Sequence, residues 1–305
     1  MRLGFIGLGA MGYGMAQNIL AKHGQLSVVG HRSREAIDSL KTAGAEECPD
    51  AATLAQNADV ILLCLPNSGV VEATIAAMDP CLRPGQTIID TGTSALASTL
   101  AMNDRLSARG LHFAEAPLTG GQQQAQDGAL GALLGCNDAT RAIVEPILGH
   151  FCATVQHFGP VGAGAKAKFI NNYMVMGIAA LVTEAFHLAA ETETDWAQLY
   201  DVVIRGSADS GVLRRIIGKA REGDYSGYVF SVENAAKDMG YITEMTASMG
   251  RDTALNHAVK ALFDRATAQG FGSCQLSELL RPDIRAKLFD PPPPRTPPGR
   301  GGRPR

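Results

Sequence analysis

An α/β domain followed by an all-helical domain is the fold class that this 305-residue sequence predicts. Three observations carry the prediction. A short apolar run, Leu3–Ile6, meets a glycine turn without a gap, and an amphipathic segment follows it. Strand-like and helical stretches then alternate as far as Phe158, which is the pattern of strands joined by crossover helices. From Ala165 onward only helical periodicity remains. The expected boundaries are 1–160 for the first domain, 161–289 for the second, and 290–305 for a tail. Hydrophobic residues at 46% and charged residues at 19% support a sizeable core, and 34 glycines with few aromatics suit an α/β chain with tight turns.

The opening strand runs into Gly7-Leu8-Gly9-Ala10-Met11-Gly12, and a helix is expected over Tyr13–Ala21. Strand, GxGxxG turn and helix in immediate succession predict a Rossmann-type dinucleotide site. Gly7 would permit the tight turn, Gly9 the approach of a pyrophosphate, and Gly12 the close seating of helix on strand. The phosphates would meet the helix N-terminus, where unbonded N–H groups and the dipole favour negative charge. The second strand, Leu26–Val29, ends in Gly30-His31-Arg32-Ser33. An acid that would hold a ribose 2′-hydroxyl is missing there, and Glu35 falls in the next helix. Arg32 can instead pair with a 2′-phosphate, so NADP is favoured, with His31 beside it; an Arg32 that only stacks on adenine would leave NAD open.

Further along, a helix near Ala51–Gln56 precedes a strand at Val60–Leu65, apolar throughout as a doubly buried parallel strand should be. Helix Val70–Met78 and strand Gln86–Ile89 follow, the latter closing on Asp90-Thr91-Gly92-Thr93-Ser94. Ligands sit beyond the C-terminal ends of such strands, so Leu65, Pro66 and Thr93 are expected to line a nicotinamide pocket. Strand Leu111–Ala114 leads into Glu115-Ala116-Pro117-Leu118-Thr119-Gly120-Gly121, a loop whose N–H groups could converge on an anion. It contains no Arg or Lys, which suits a small carboxylate held by Thr119, Gly120 and Gly121 better than a phosphate. Ala129–Gly135 and Thr154–Phe158 complete the strands, with helix Thr140–Leu148 between them.

In the second domain a long helix is expected over Ala165–Thr192, then helices at Trp196–Ile204, Gly211–Ala220, Val232–Ser248 and Ala254–Gln269. A helix of that length, about 40 Å at 1.5 Å per residue, exceeds one small domain and predicts packing against a second subunit as a homodimer or homotetramer. Near its start, in Gly162-Ala163-Gly164-Ala165-Lys166-Ala167-Lys168-Phe169-Ile170-Asn171-Asn172, Lys168 and Asn172 stand four residues apart and so share a face. A cationic proton donor beside an amide that can hold a hydroxyl is what reduction of a carbonyl requires. Lys237, seven residues after Phe230, is a further candidate to face a cofactor cleft, although a solvated lysine is the commoner outcome.

The net charge of −3 predicts neither nucleic-acid nor membrane-surface binding. The six cysteines show no CxxC pair and no metal-ligand spacing, so no metal is expected and they read as free thiols of a reducing, cytoplasmic compartment. No signal-like segment precedes the first strand, and the most apolar stretch, Phe169–Ala190, is interrupted by Asn171, Asn172, Glu184 and His187, which suits a buried core helix. Residues 291–305 hold seven prolines, four arginines and three glycines and are not expected to fold.

Taken in order, four of these stretches make the chain resemble the β-hydroxyacid dehydrogenase family, which includes 3-hydroxyisobutyrate dehydrogenase, tartronate semialdehyde reductase and glyoxylate/succinic semialdehyde reductases. The segment Gly7–Asn18 is similar to its cofactor signature, and Glu115–Gly121 to its substrate-binding DAPVSGG, with Glu for Asp, Leu for Val and Thr119 for Ser. Gly162–Asn172 matches its catalytic GxGxxxKxxNN, and Phe230–Asp238 its cofactor-contacting Lys-Asp segment. The resemblance implies a Rossmann domain and an all-α domain, with Lys168 as general acid in reduction and base in oxidation. It further implies Asn172 on the substrate, Thr119, Gly120 and Gly121 on its carboxylate, and Lys237 on the cofactor. It selects Lys168 over the neighbouring Lys166, and Arg32 agrees with members that use NADPH. Thr119 adds a methyl to the family's serine, which bears on substrate size. Two alternatives stand beside this reading: an imine-reducing relative, a class that typically lacks the lysine, and a non-enzymatic NADP-binding module.

Overall fold

The computed structural model describes residues 1–30 and 34–289. The expectations for His31 and Arg32, and for the tail from residue 290, lie outside the described residues. The chain runs β1 (Leu3–Ile6), α1 (Gly12–His23), β2 (Ser27–Val29), α2 (Arg34–Thr42), β3 (Glu46–Cys48), α3 (Ala51–Asn57), β4 (Val60–Leu63), α4 (Ser68–Met78), β5 (Thr87–Asp90), α5 (Leu96–Ser107), β6 (His112–Glu115), β7 (Leu118–Thr119), α6 (Gln122–Asp127), β8 (Leu130–Gly135), α7 (Asp138–Leu148) and β9 (Cys152–Gly159). It continues through α8 (Ala163–Glu191), α9 (Trp196–Val203), α10 (Gly211–Ala220), α11 (Val232–Ser248), α12 (Ala254–Ala266) and α13 (Pro282–Phe289).

Two compact units result. The first comprises Met1–Asn172 with Tyr241–Arg251. Its sheet has the order β3-β2-β1-β4-β5-β6-β8-β7, with β9 on β8. Strands β3 to β6 are parallel, β8 runs antiparallel to β6 and β7, and β9 is parallel to β8. The order reverses between β1 and β4, the position at which open α/β sheets bind nucleotides.

These strands form because apolar residues fill both faces. Alternate side chains point to opposite sides: Leu3, Phe5 and Leu62 join one core with Met15 and Ile19 of α1, while Ile6, Ile61 and Leu63 join another with Leu54 of α3 and Ile75 of α4. Each such buried side chain contributes about 1.5–3 kcal/mol. Helix starts are set locally: the carboxyl or amide oxygens of Asp50, Asn67 and Asn137 accept from the N–H of Thr53, Val70 and Thr140.

The second unit comprises Tyr173–Gly240 and the chain from Asp252 onward. It is built from helices, and among its described residues one isolated bridge, Ser231 with Gln275, is the only strand-like pairing. Helix α10 buries Val212, Leu213, Ile216, Ile217 and Ala220 at helical spacing. Phe186 of α8 meets Trp196 of α9 edge to face at 5.4 Å.

Helix α8, 29 residues long, passes from the first unit into the second. By length and composition alone it would suffice to cross a membrane, and 44% of its apolar window is buried inside the protein. Of its polar interruptions Asn172 and His187 are buried and Glu184 is exposed, and the first turn of α8 is bonded to Glu115 of β6.

Candidate active site

The glycine turn between β1 and α1 divides its three glycines by what surrounds them. Gly7 has φ +108°, open to glycine, and a Cβ there would lie 2.2 Å from the Cys64 carbonyl oxygen. A Cβ on Gly12 would lie 1.9 Å from the Gly7 carbonyl oxygen, so helix and strand touch through bare backbone. Gly9 faces open space: nothing stands within 4 Å of a Cβ built there. Helix α1 has no side-chain cap at Met11 and no acid in its first turn, so its N-terminal dipole suits an anion, although Tyr13 N–H already donates to the Gly9 carbonyl. Leu8 and Met11 are half-buried and Ala10 exposed along the same turn. These residues fit a dinucleotide pyrophosphate.

The next loops continue this edge. The Leu65 carbonyl oxygen comes within 2.9 Å of a Cβ built on Gly92, and the Leu65 side chain within 3.3 Å of one built on Gly7. Pro66 is exposed beside it. Thr93 rides on a loop braced by Asp90, which is 1% exposed. One Asp90 carboxylate oxygen accepts from Gly92 N–H at 2.9 Å and the other from Ser94 Oγ at 2.7 Å.

Lys168 and Thr93 line one cleft, together with Asp90, Ser94, Glu115 and Phe169. Lys168 is half-buried, whereas Lys166 is exposed. The Lys168 ammonium donates to the Leu118 carbonyl at 2.5 Å. Leu118 precedes Thr119 directly, which places the cation against the glycine loop. Asn172, one turn on, is buried, and its Oδ1 accepts from Asn171 Nδ2 at 3.0 Å. Phe169 is fully buried and meets the ring of Tyr241 at 6.2 Å, and Tyr241 bonds through its hydroxyl to Ser68 Oγ at 3.0 Å.

The glycine loop is less open than expected. Gly120 has φ +108°, but Gly121 N–H already donates to Gln124 Oε1 at 2.9 Å, and Thr119 Oγ1 leans on the Gly131 carbonyl at 3.4 Å. Lys237 lies in the second unit, half-buried on α11 and paired with Asp238 at 3.1 Å.

Three functional contributions escape the linear pattern. Asp90 braces the Thr93 loop; an acid closing a strand before Thr-Gly-Thr-Ser was the available signal. Glu115 caps α8 from far away in sequence: its Oε1 accepts from Gly162 N–H at 2.6 Å, Gly164 N–H at 3.1 Å and Ala165 N–H at 3.4 Å. Burial pushes its carboxyl up to about 8 against the downward pull of these donors. Finally, an acid does approach the end of β2, supplied by β3: Glu47 Oε1 is 3.3 Å from a Cβ built on Gly30. The guanidinium of Arg34 and the ammonium of Lys41 hold Glu47 down at about 2. Glu35 stands exposed in the first turn of α2, as expected.

Comparison with known proteins agrees with this geometry. Residues 2–159 match the family model for the NAD binding domain of 6-phosphogluconate dehydrogenase. Residues 162–282 match that for the NAD-binding domain of NADP-dependent 3-hydroxyisobutyrate dehydrogenase. The 2-(hydroxymethyl)glutarate dehydrogenase of Eubacterium barkeri is 27% identical over 287 residues, covering 92% of this chain and 94% of that protein. The NAD-dependent L-serine dehydrogenase of Pseudomonas aeruginosa is 29% identical over 300 residues, 95% of this chain and 98% of its own. Among solved structures, 3-hydroxyisobutyrate dehydrogenase of Mycobacterium tuberculosis with L-serine superposes with a TM-score of 0.82 at 22% identity, over 92% of this chain and 97% of that one, a likeness of fold. With both halves of the chain matched in order by these family models, the chain belongs to the β-hydroxyacid dehydrogenase family and is an NAD(P)-dependent oxidoreductase acting on CH–OH groups.

Proposed function

We propose that the chain interconverts a small carboxylate-bearing 3-hydroxy acid and its semialdehyde, with Lys168 moving the proton at the substrate oxygen. The observation that carries this reading is the bond from Lys168 Nζ to the Leu118 carbonyl, which sets a half-buried ammonium at the root of the Thr119–Gly121 loop and on the same cleft as Thr93. The nicotinamide, when bound, supplies or accepts the hydride. Lys168 gives up its proton to the carbonyl oxygen in reduction and recovers one from the hydroxyl in oxidation, and its charge stabilises alkoxide character as it develops. Asn172, four residues on, holds the substrate hydroxyl, and Thr119, Gly120 and Gly121 hold the carboxylate. Thr93, Leu65 and Pro66 are the residues that would hold the nicotinamide, and Lys237 is the further cofactor residue that the family resemblance implies.

NADP is the favoured cofactor. Arg32 follows the second strand with no acid beside it in sequence, and the family model matched by residues 162–282 is that of an NADP-dependent enzyme. The protein is a cytoplasmic homodimer or homotetramer. Met174, Leu181 and Leu188 are exposed at intervals of seven along α8, a seam that suits a second helix.

The test is a panel of small aldehyde acids, hydroxy acids and cyclic imines with NADPH and NADH, read by nicotinamide absorbance for the wild type and Lys168→Ala. A semialdehyde or 3-hydroxy acid is expected to turn over, with NADPH preferred. The variant should bind cofactor nearly as before and lose at least about 10²-fold in kcat. Turnover of imines alone, or near-wild-type turnover in K168A, would sink the assignment.

A further inference from the structure

Two buried carboxyls line the cleft, and the proposed proton transfer uses neither of them. Asp90 is engaged within its own loop by Gly92 and Ser94. Glu115 reaches to a different element. It is 2% exposed at the end of β6, and its Oε1 gathers the N–H groups of Gly162, Gly164 and Ala165 at the start of α8. The neighbourhood is shaped around that oxygen. A Cβ on Gly135 would lie 2.0 Å from it, and a Cβ on Gly164 would lie 2.2 Å from the Leu133 carbonyl, so β8 and α8 meet there through bare backbone.

Three residues after Glu115, the Leu118 carbonyl takes the ammonium of Lys168. The segment 115–118 therefore grips α8 at two levels, its first turn and the residue one turn further. Two such anchors fix both the rotation of the helix and its advance along its axis. A single anchor at Lys168 would fix neither, because the lysine side chain is flexible. We infer that Glu115 is a positioning residue for the proton transfer, holding the first turn of α8 so that Lys168, with Asn172 one turn further along the same helix, keeps its place at the Leu118 carbonyl. This inference rests on Lys168 being the proton donor.

A carboxyl at a helix N-terminus can accept from the free amides in either protonation state, and once ionised it gains charge-assisted bonds and the favour of the dipole. The titratable groups around it are Lys168 and Asp90 across the cleft and Cys136 after β8, whose thiol burial pushes up to about 12, keeping it neutral. Burial likewise keeps Glu115 mostly protonated at neutral pH and ionised above about pH 8. An amide of the same shape preserves the accepting oxygen and, like the protonated acid, puts a donor at the position of Oε2, which is buried without a hydrogen-bond partner among the described residues.

The experiment compares the full chain with Glu115→Ala, Glu115→Gln and Lys168→Ala, using NADPH and the best substrate of the panel. Misplacing a catalytic group by about 1 Å can lower turnover by about 10². E115A is expected to lose at least about 10-fold in kcat while the cofactor KM stays within about twofold, and E115Q is expected to recover most of that loss at pH 7. Wild-type kcat in E115A overturns the inference, as does an E115Q no better than E115A, or a loss of cofactor affinity in step with kcat. If E115A does not fold, hydrogen exchange at pH 9 decides. There only the wild-type carboxyl is ionised, so the amides of Gly164 and Ala165 should exchange more slowly than in E115Q, and equal exchange overturns it. Near-wild-type turnover in K168A would instead remove the proton-donor reading, an outcome separate from the behaviour of residue 115.

Discussion

The two glycine-bearing loops at the C-terminal edge of the sheet use the same residue to different ends. In the turn after β1, Gly7 and Gly12 are required by backbone atoms that leave no room for a methyl, while Gly9 looks onto open space and the α1 amides carry no side-chain cap. In the loop after β6, glycine is required at 120 by its φ of +108°, and the neighbouring donors are in use: Gly121 N–H on Gln124, Thr119 Oγ1 on Gly131. The first loop leaves space open beside its backbone. The second keeps its donors in internal bonds, which a carboxylate bound there, as proposed, would have to displace. A preorganised site binds without reorganisation, whereas a self-satisfied one gives up part of its binding energy to rearrangement. Under the proposed function, cofactor and substrate would therefore meet different kinds of sites.

The comparison breaks most visibly at Gly12. In Gly12→Ala the new methyl would lie 1.9 Å from the Gly7 carbonyl oxygen, a backbone atom that cannot swing aside. Either α1 lifts from β1 or the turn opens, and overpacking of this kind costs about 1–3 kcal/mol. A lower melting temperature and loss of measurable cofactor binding are expected. Unchanged values of both would mean that the close seating of α1 on β1 does not build the cradle. Gly9→Ala sharpens the contrast, because its methyl meets nothing in the protein. Stability should stay within about 0.5 kcal/mol. Cofactor Kd, measured by fluorescence titration, should rise by about tenfold, since the methyl would stand where the pyrophosphate approaches. Wild-type affinity in G9A would move the phosphates elsewhere.

The same contrast separates what was legible in the sequence from what was not. Strand β1 could be read to the residue because its apolar run abuts the glycines. Helices α10 and α11 were likewise bounded by their own periodicity. Helix α5 went unread because the residues it buries, Thr99, Met102 and Leu106, are few and mixed with polar ones. Helix α6 buries only Ala125 and β3 only Cys48, so neither displays a period. Glu115 was legible as a motif letter, but its work as a cap was not, because its partners begin 47 residues downstream. Local pattern records which face of an element is apolar. It does not record which distant amide a buried carboxyl will meet.

The smallest effect tests the second loop directly. Gln124→Ala removes the carboxamide oxygen that accepts from Gly121 N–H at 2.9 Å. The side chain is exposed, so its loss leaves no cavity, and the missing cap should cost about 0.5–1 kcal/mol at most. If the Thr119–Gly121 loop receives the substrate carboxylate, the freed N–H no longer has to be released by its own side chain. The KM for the acid should then fall by roughly two- to fivefold, about 0.4–1 kcal/mol, with kcat unchanged. The methyl ester of the same substrate, which lacks the charge, should gain nothing. An acid KM that stays constant while the melting temperature drops would show that the Gln124 bond serves α6 alone, and the carboxylate would have to be sought away from Gly121.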